Sequence, residues 1–335
     1  MLMKKNIFIG MMLGCLLLMT DMAWAQEKAY PKNGEGITLF LRRFDRNTAA
    51  YRREFIRLNK NKLGKDQSLK MGVQYTIPPL MKEPTAPRSN YEPLFGKEYA
   101  NYQMTSSELK GACFYLVSGH GGPDPGAIGT IGNHKLHEDE YAYDITLRLA
   151  RNLLTKGAKV YIIIQDAKDG IRDDRYLENS KRETCMGSTI PFNQVRRLQQ
   201  RCDKVNSLFK QDREGYKRAL YVHIDSRSKS RQTDVYFYYK PKSSQSKRLA
   251  KTMKQTFAQK YKKHQPGRGF EGTVDDRDLY VLNNTTPATV FVELGNIQNS
   301  FDQQRLILSN NRQALANWLA ESFVNDYQRY KKKLK

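Results

Sequence analysis

The chain has 335 residues, and 57 Lys and Arg against 34 Asp and Glu give it a formal charge of +23. That length buries a full core and fits one catalytic domain plus a smaller module. After Gln26 no uninterrupted apolar run approaches the ~18 to 20 residues of a membrane span, so a transmembrane span in the mature chain is excluded. The basic surface suits an anionic polymer such as an envelope glycan, teichoic acid or nucleic acid, or serves only to solubilise, as at the terminal Lys331-Lys332-Lys333-Leu334-Lys335.

Residues 1–25 have the layout of a signal peptide: Lys4 and Lys5, an apolar stretch from Ile7 to Met19, and the small-x-small site Ala23-Trp24-Ala25. Cleavage there makes Gln26 the first mature residue and implies export to the periplasm or the medium. Gly14-Cys15 offers a competing lipoprotein junction, although the apolar run continues past Cys15. Residues 34–79 follow with a compact pattern. Gly36-Ile37-Thr38-Leu39 reads as a strand, Leu41 and Phe44 then Phe55, Ile56 and Leu58 as two helices, and Leu69, Gly72, Tyr75 and Ile77 as a close before Pro78-Pro79. This βααβ order resembles a LysM module, which implies binding of N-acetylglucosamine-containing glycan; the alternative is a structural cap. Residues 80–108, with Pro84, Pro87 and Pro93, read as a linker that packs on the domain after it.

From 109 to 330 the pattern alternates. Phe114–Val117 is a buried strand, and Tyr141, Ile145, Leu149 and Leu153 recur at helical spacing from Glu138. Lys159–Gln165 is a strand, Asn193–Phe209 a helix, and Ala219–Ile224 and Val235–Tyr239 are strands. Lys247–Tyr261 is helical, Leu279–Leu282 and Thr289–Leu294 are strands, and Asn311–Tyr330 is a closing helix. Such alternation predicts an α/β fold with a twisted, largely parallel sheet flanked by helices, whose site lies at the carboxyl ends of strands.

Several residues at those ends carry chemistry. His120 sits in Ser118-Gly119-His120-Gly121-Gly122-Pro123-Asp124-Pro125-Gly126, where glycines uncover the ring as a metal ligand requires. Glu138 opens a helix, where a carboxylate is more often a complement to the helix dipole. His223 ends a strand, where an imidazole is more often hydrogen-bonded and structural. Two imidazoles and a carboxylate are also a zinc set with a position left for water, and Glu293, which ends an apolar run, could take that water's proton.

The order of the motifs adds to this. Gly-His-Gly-Gly with Asp-Pro-Gly-Ala-Ile-Gly, Glu138 before Ile145-Thr146-Leu147-Arg148-Leu149-Ala150, Arg201 and Asn206 before His223, and Val292-Glu293-Leu294-Gly295 with Asn299 together resemble the zinc-dependent N-acetylmuramoyl-L-alanine amidases. The resemblance implies that His120, Glu138 and His223 hold Zn2+ and that Glu293 is the catalytic glutamate. It also implies hydrolysis of the amide between N-acetylmuramic acid and the L-alanine of the peptidoglycan stem, in wall remodelling or cell separation, with an activator protein as a further partner. The competing class is a non-catalytic peptidoglycan-binding protein; a nucleic-acid binder rests on charge alone.

The chain departs from that pattern in two places. The family's aspartate two residues before Gly-His-Gly-Gly is replaced, with Val117-Ser118 standing there, and its Ser-x-His-x-Asn block is here Tyr221-Val222-His223-Ile224-Asp225. Both spare the ligand set and bear on its surroundings. His137, beside Glu138, and nearby His134 are minor candidates to assist a ligand; His264 has no role. Residues 166–192, with Asp166, Asp169, Asp173, Asp174, Glu178 and Glu183, read as a long irregular loop that could bring a carboxylate onto the metal. Cys185 and Cys202 could pair across a loop in an oxidising compartment, while Cys113 stays buried and free.

Overall fold

In the computed structural model, which describes residues 27–46, 49–80 and 90–334, the chain forms two units, 1–86 and 87–335. The signal segment with Cys15 and the prolines Pro84 and Pro87 lie outside the described residues.

In the first unit β1 (Lys28–Ala29), α1 (Ile37–Arg42), α2 (Ala49–Leu58) and β2 (Tyr75–Thr76) follow in order, and β1 pairs antiparallel with β2. Of the strand expected over Gly36–Leu39, Ile37, Thr38 and Leu39 belong instead to α1, with Gly36 as its N-cap. Ile37, Phe40 and Leu41 are buried at i, i+3 and i+4, which is one face of a helix rather than alternate faces of a strand. These side chains pack with Phe55, Tyr75 and Ile77. Buried Asn59 fastens α2 to β2: its amide donates to Phe55 O (3.0 Å) and Thr76 O (2.8 Å), and its carbonyl oxygen accepts from Thr76 N (2.8 Å).

The second unit begins inside the expected linker. β3 (Asn90–Tyr91) and β4 (Asn101–Tyr102) pair antiparallel around α3 (Gly96–Tyr99), and Phe95 is fully buried in the unit's main core. Leu94, Tyr99 and Tyr102 pack against the same core, so the stretch folds on a few apolar anchors although it lacks an apolar period.

Next come β5 (Ala112–Ser118), the hairpin β6 (Ile128–Ile131) and β7 (His134–His137), α4 (Glu138–Thr155), β8 (Lys159–Ile162) and β9 (Ile164–Gln165). They lead to β10 (Thr184–Cys185), β11 (Ser188–Thr189), α5 (Gln194–Gln211), β12 (Tyr216–Asp225) and β13 (Val235–Tyr239). The unit closes with α6 (Ser244–His264), β14 (Gly272–Asp276), α7 (Tyr280–Asn284), β15 (Ala288–Asn296), α8 (Ser300–Ile307) and α9 (Ser309–Leu334). Six strands form the central sheet in the order β14-β13-β15-β12-β5-β8, with every neighbouring pair parallel except β13 and β15.

All seven residues of β5 are buried because helices cover both faces of the sheet, as its unbroken apolar run requires. Phe114 and Leu116 face the core shared with α4, α6 and α9; Cys113, Tyr115 and Val117 face the one shared with α5. Leu279–Leu282, expected as a strand, contributes Tyr280, Val281 and Leu282 to the helix α7. The run is too short for period alone to decide, and Val281 joins the core beneath α5. Cys113, Cys185 and Cys202 are all buried free thiols, so Cys185 and Cys202 do not pair; the Cys202 thiol lies instead among Tyr221 Oη (3.7 Å) and Thr285 Oγ1 (3.6 Å).

A buried ion-pair network locks α4 to α9. Asp144 Oδ2 accepts from Arg312 Nε (2.6 Å) and Arg148 Nε (2.8 Å), and Arg312 also donates to Leu306 O, Arg172 O and Asp174 O. Arg312 has no solvent exposure, so removing it leaves Asp144 with Arg148 as its one remaining guanidinium partner and the carbonyls of Leu306, Arg172 and Asp174 without their donor, in a buried void. Arg312→Ala should lower stability by about 3–5 kcal/mol, read as a shift of the urea unfolding midpoint.

Candidate metal centre

The ends of β5 and β12 and the start of α4 bring His120, Glu138 and His223 together. Gly119 N donates to Val222 O (2.7 Å), continuing the β5 to β12 pairing one residue past the strand. His120 then turns back with φ of 59°, a left-handed conformation costly for a residue with a Cβ and the kind of strain found at functional sites. Glu138 is the first residue of α4, and its Oε2 accepts from Ala127 N (2.9 Å) while Oε1 accepts from Ile224 N (3.2 Å).

The same Oε1 lies 3.2 Å from His120 Nε2 and 2.9 Å from His223 Nδ1. One donor atom from each of the three residues lies within 4.8 Å of the others, and Glu138 is almost fully buried. Two imidazole nitrogens and a carboxylate oxygen are the donor set of a first-row divalent metal with further positions open. The backbone makes room for it. A Cβ at Gly119 would overlap the His223 ring, and one at Gly126 would lie 2.7 Å from both Glu138 Oε2 and His120 Cδ2.

Charge is arranged around the same point. Burial disfavours a charged His120 ring, but its hydrogen bonds to Asp124 and Glu138 outweigh that and hold its pKa up to about 10. Burial also opposes the Glu138 charge, yet contact with the two imidazoles holds its carboxyl well below the usual range. Burial lowers the pKa of His223, with Glu138 opposing.

Asp124 is the residue whose role the sequence did not disclose. Its Oδ2 lies 3.0 Å from His120 Nδ1 and accepts from Arg197 Nη2 (2.7 Å), fixing the ring so that Nε2 faces Glu138. The available signal was its place four residues after His120, on a turn whose two chain ends bridge at Gly121 and Asp124. The Arg201 guanidinium donates to His120 O, supporting the strained turn. Asn206 and Asn299 hold backbone elsewhere: Asn206 joins α5 to Asn284 O (2.8 Å) and Thr286 N (2.7 Å), and Asn299 caps α8.

Glu293 pairs with His223 in the parallel β12 to β15 register, so both side chains leave the same face of the sheet. Phe291, two residues earlier, stacks on the His223 ring with centroids 4.1 Å apart. Glu293 Oε2 is buried with no hydrogen-bond partner among the described residues. Burial pushes its carboxyl well above the usual range, and the charges of Glu138 and Asp225 add to this.

The other histidines lie outside the cluster: His134 stacks on Tyr176 (3.7 Å), His264 stacks on Trp318 (6.1 Å), and His137 is the N-cap residue of α4. Residues 166–192 are more ordered than expected, since β10 and β11 form a hairpin that extends β9. Asp166 and Asp169 pair with Arg182, Asp173 pairs with Arg148, and Glu183 Oε2 accepts from Gly122 N (2.8 Å). The first three are engaged by arginines, and Glu183 by the turn that carries His120. Glu183 joins buried Asp139 and Glu140, and burial together with these neighbours pushes Asp139 up to about 8.

Residues 115–325 match the family model Amidase_3, N-acetylmuramoyl-L-alanine amidase, over more than half of the chain. The chain belongs to this amidase family. Among curated proteins none matches it. Among solved structures the amidase domain is similar to the N-acetylmuramoyl-L-alanine amidase from Clostridium difficile 630, at 18% identity and TM-score 0.47, over 65% of this chain and 97% of that one. It is similar to the catalytic domain of CwlV from Bacillus (Paenibacillus) polymyxa var. colistinus at 19% identity and TM-score 0.46, over 64% and 97% of the two chains. Ami1 from Mycobacterium smegmatis matches at 19% identity and TM-score 0.47, over 65% and 97%.

Two substitutions test the cluster in this amidase domain. Asp124→Asn should weaken transition-metal binding by about 10–100-fold with an unchanged far-UV spectrum, read by titration against a chelator of known affinity. Gly119→Ala should lose tight binding in the same titration, because its methyl takes the space of the His223 ring.

Proposed function

We propose that this amidase of peptidoglycan is exported and zinc-dependent, with His120, Glu138 and His223 as the metal ligands and Glu293 as general base and acid. The observation that carries this reading is the convergence of His120 Nε2 and His223 Nδ1 on Glu138 Oε1, beside a buried carboxylate oxygen of Glu293 that has no partner among the described residues. The donor set suits Zn2+, which when bound supplies a Lewis acid and lowers the pKa of its water. The Glu293 carboxylate, its basicity raised by burial, takes the proton of the attacking water at Oε2 and returns it to the stem-peptide nitrogen as the amide breaks. Asp124 and Arg197 hold the His120 ring in place throughout, and Phe291 holds that of His223.

The signal-like residues 1–25 support export to the periplasm or the medium, in a role in wall remodelling or cell separation, and the basic surface suits retention on an anionic wall. The first unit, a small β-α-α-β arrangement, is proposed to bind glycan as a LysM-like module. CwlD from Clostridioides difficile is known in complex with the GerS lipoprotein, and an activator partner for this chain is part of the proposal.

Glu293→Ala should retain zinc but lose stem-peptide release from purified wall by at least ~10²-fold, followed by mass spectrometry of fragments with N-terminal L-alanine. Release at the wild-type rate would refute the assigned role. Because His120 is held up to about 10 without metal, zinc must displace a proton at neutral pH, and apparent affinity should fall as pH drops from 10 toward 7. Calorimetry in buffers of different ionisation enthalpy at pH 7 should show about one proton released per zinc bound.

A further inference from the structure

Beyond the metal cluster the same face of the sheet continues as an aromatic ledge. Phe291, which stacks on His223, lies opposite Tyr238 across the β13 to β15 pairing with centroids 6.4 Å apart, and Tyr236 lies opposite Glu293. Two guanidinium groups cover the tyrosines, Arg227 at 5.3 Å from the Tyr236 centroid and Arg277 at 4.8 Å from the Tyr238 centroid.

The two arginines differ in what their edges do. Arg227 Nε pairs with Asp225 Oδ2 (2.7 Å), so that guanidinium is already neutralised by an acid at its Nε. Arg277 is exposed, its backbone N–H donates to Tyr239 O (3.2 Å), and its side chain has no hydrogen-bond or ion-pair partner among the described residues. Lying on a ring uses the guanidinium's flat face and leaves its N–H edge free in a fixed orientation, the geometry that receives a carboxylate in bidentate fashion. The path from Arg277 through Tyr238 and Phe291 to His223 runs over contacts of 4.8, 6.4 and 4.1 Å. An extended pentapeptide, at ~3.3–3.6 Å per residue, spans it.

We propose that Arg277 is a specificity-determining residue that binds a free carboxylate of the stem peptide a few residues from the bond cut, so that stems with free carboxylates bind more tightly than the same stems amidated. This rests on the reading of the neighbouring cluster as the catalytic centre. The ledge then orients the stem along β13 while the cluster and Glu293 meet the amide.

The test is calorimetric binding of soluble muramoyl-pentapeptide, with free or amidated side carboxylates, to the zinc-loaded Glu293→Ala full chain, with and without Arg277→Gln. With Arg277 present, the free acid should bind about five- to tenfold more tightly than the amide, and Arg277→Gln should abolish that difference by weakening only the acid. Arg277→Lys should keep part of it. Equal binding of the two peptides by the chain with Arg277, or a preference that survives Arg277→Gln, would overturn the assignment. Hydrolysis of wall by the wild-type chain is scored separately: its absence counts against the amidase mechanism, whereas the binding comparison still decides the role of Arg277.

Discussion

The parallel register of β5, β12 and β15 is the constraint on which the site depends. Parallel strands share a direction, so the turn after β5, the last residues of β12 and those of β15 emerge at one edge of the sheet. His223 and Glu293 are then neighbours by register alone, and Gly119, still hydrogen-bonded to Val222, delivers His120 against them. Helix α4 supplies the remaining carboxylate at its first residue, and Glu138 is held to the β12 end by Ile224 N. A slip of one residue in β12 would turn His223 to the opposite face, toward α4 and α9.

That register is maintained from both sides. On one face Arg312 and Arg148 clamp Asp144 of α4 in a fully buried network; on the other, α5 contributes Arg197 to Asp124 and Arg201 to the backbone of His120. The Asp144 network lies in the low-dielectric core, where each pairing is strong and each loss costly. Asp124 stands against the His120 ring from the downstream side of the same turn.

Much of the fold was legible because period and composition agreed. Tyr141, Ile145, Leu149 and Leu153 marked α4, and the apolar run Phe114–Val117 marked a strand covered on both faces. The misassigned stretches were short apolar runs whose partners lie far away in the chain: Gly36–Leu39 became helical around a core completed by Tyr75, and Leu279–Leu282 became helical under α5. The strand β14, Gly-Thr-Val-Asp-Asp, has almost no apolar signal and exists because β13 offers it an edge. Residues 166–192 looked structureless for the same reason; their order comes from pairing with β9 and from arginines on other elements.

The sequence by itself determined which residues could ligate a metal and in what order they occur, since His120 among glycines, Glu138, His223 and Glu293 are chemical identities that need no coordinates. It also determined the alternating α/β pattern, because burial on both faces or on one writes its period into the chain. Only the tertiary structure decided that His120, Glu138 and His223 converge within 4.8 Å, that Asp124 orients His120, that the loop carboxylates Asp166, Asp169 and Asp173 pair with arginines, and that Arg277 lies with a free edge over Tyr238. Apart from the contact of Asp124 with His120, four residues away, these are distances between residues well separated in sequence. Such distances are set by strand register and helix packing, which no local pattern of side chains encodes.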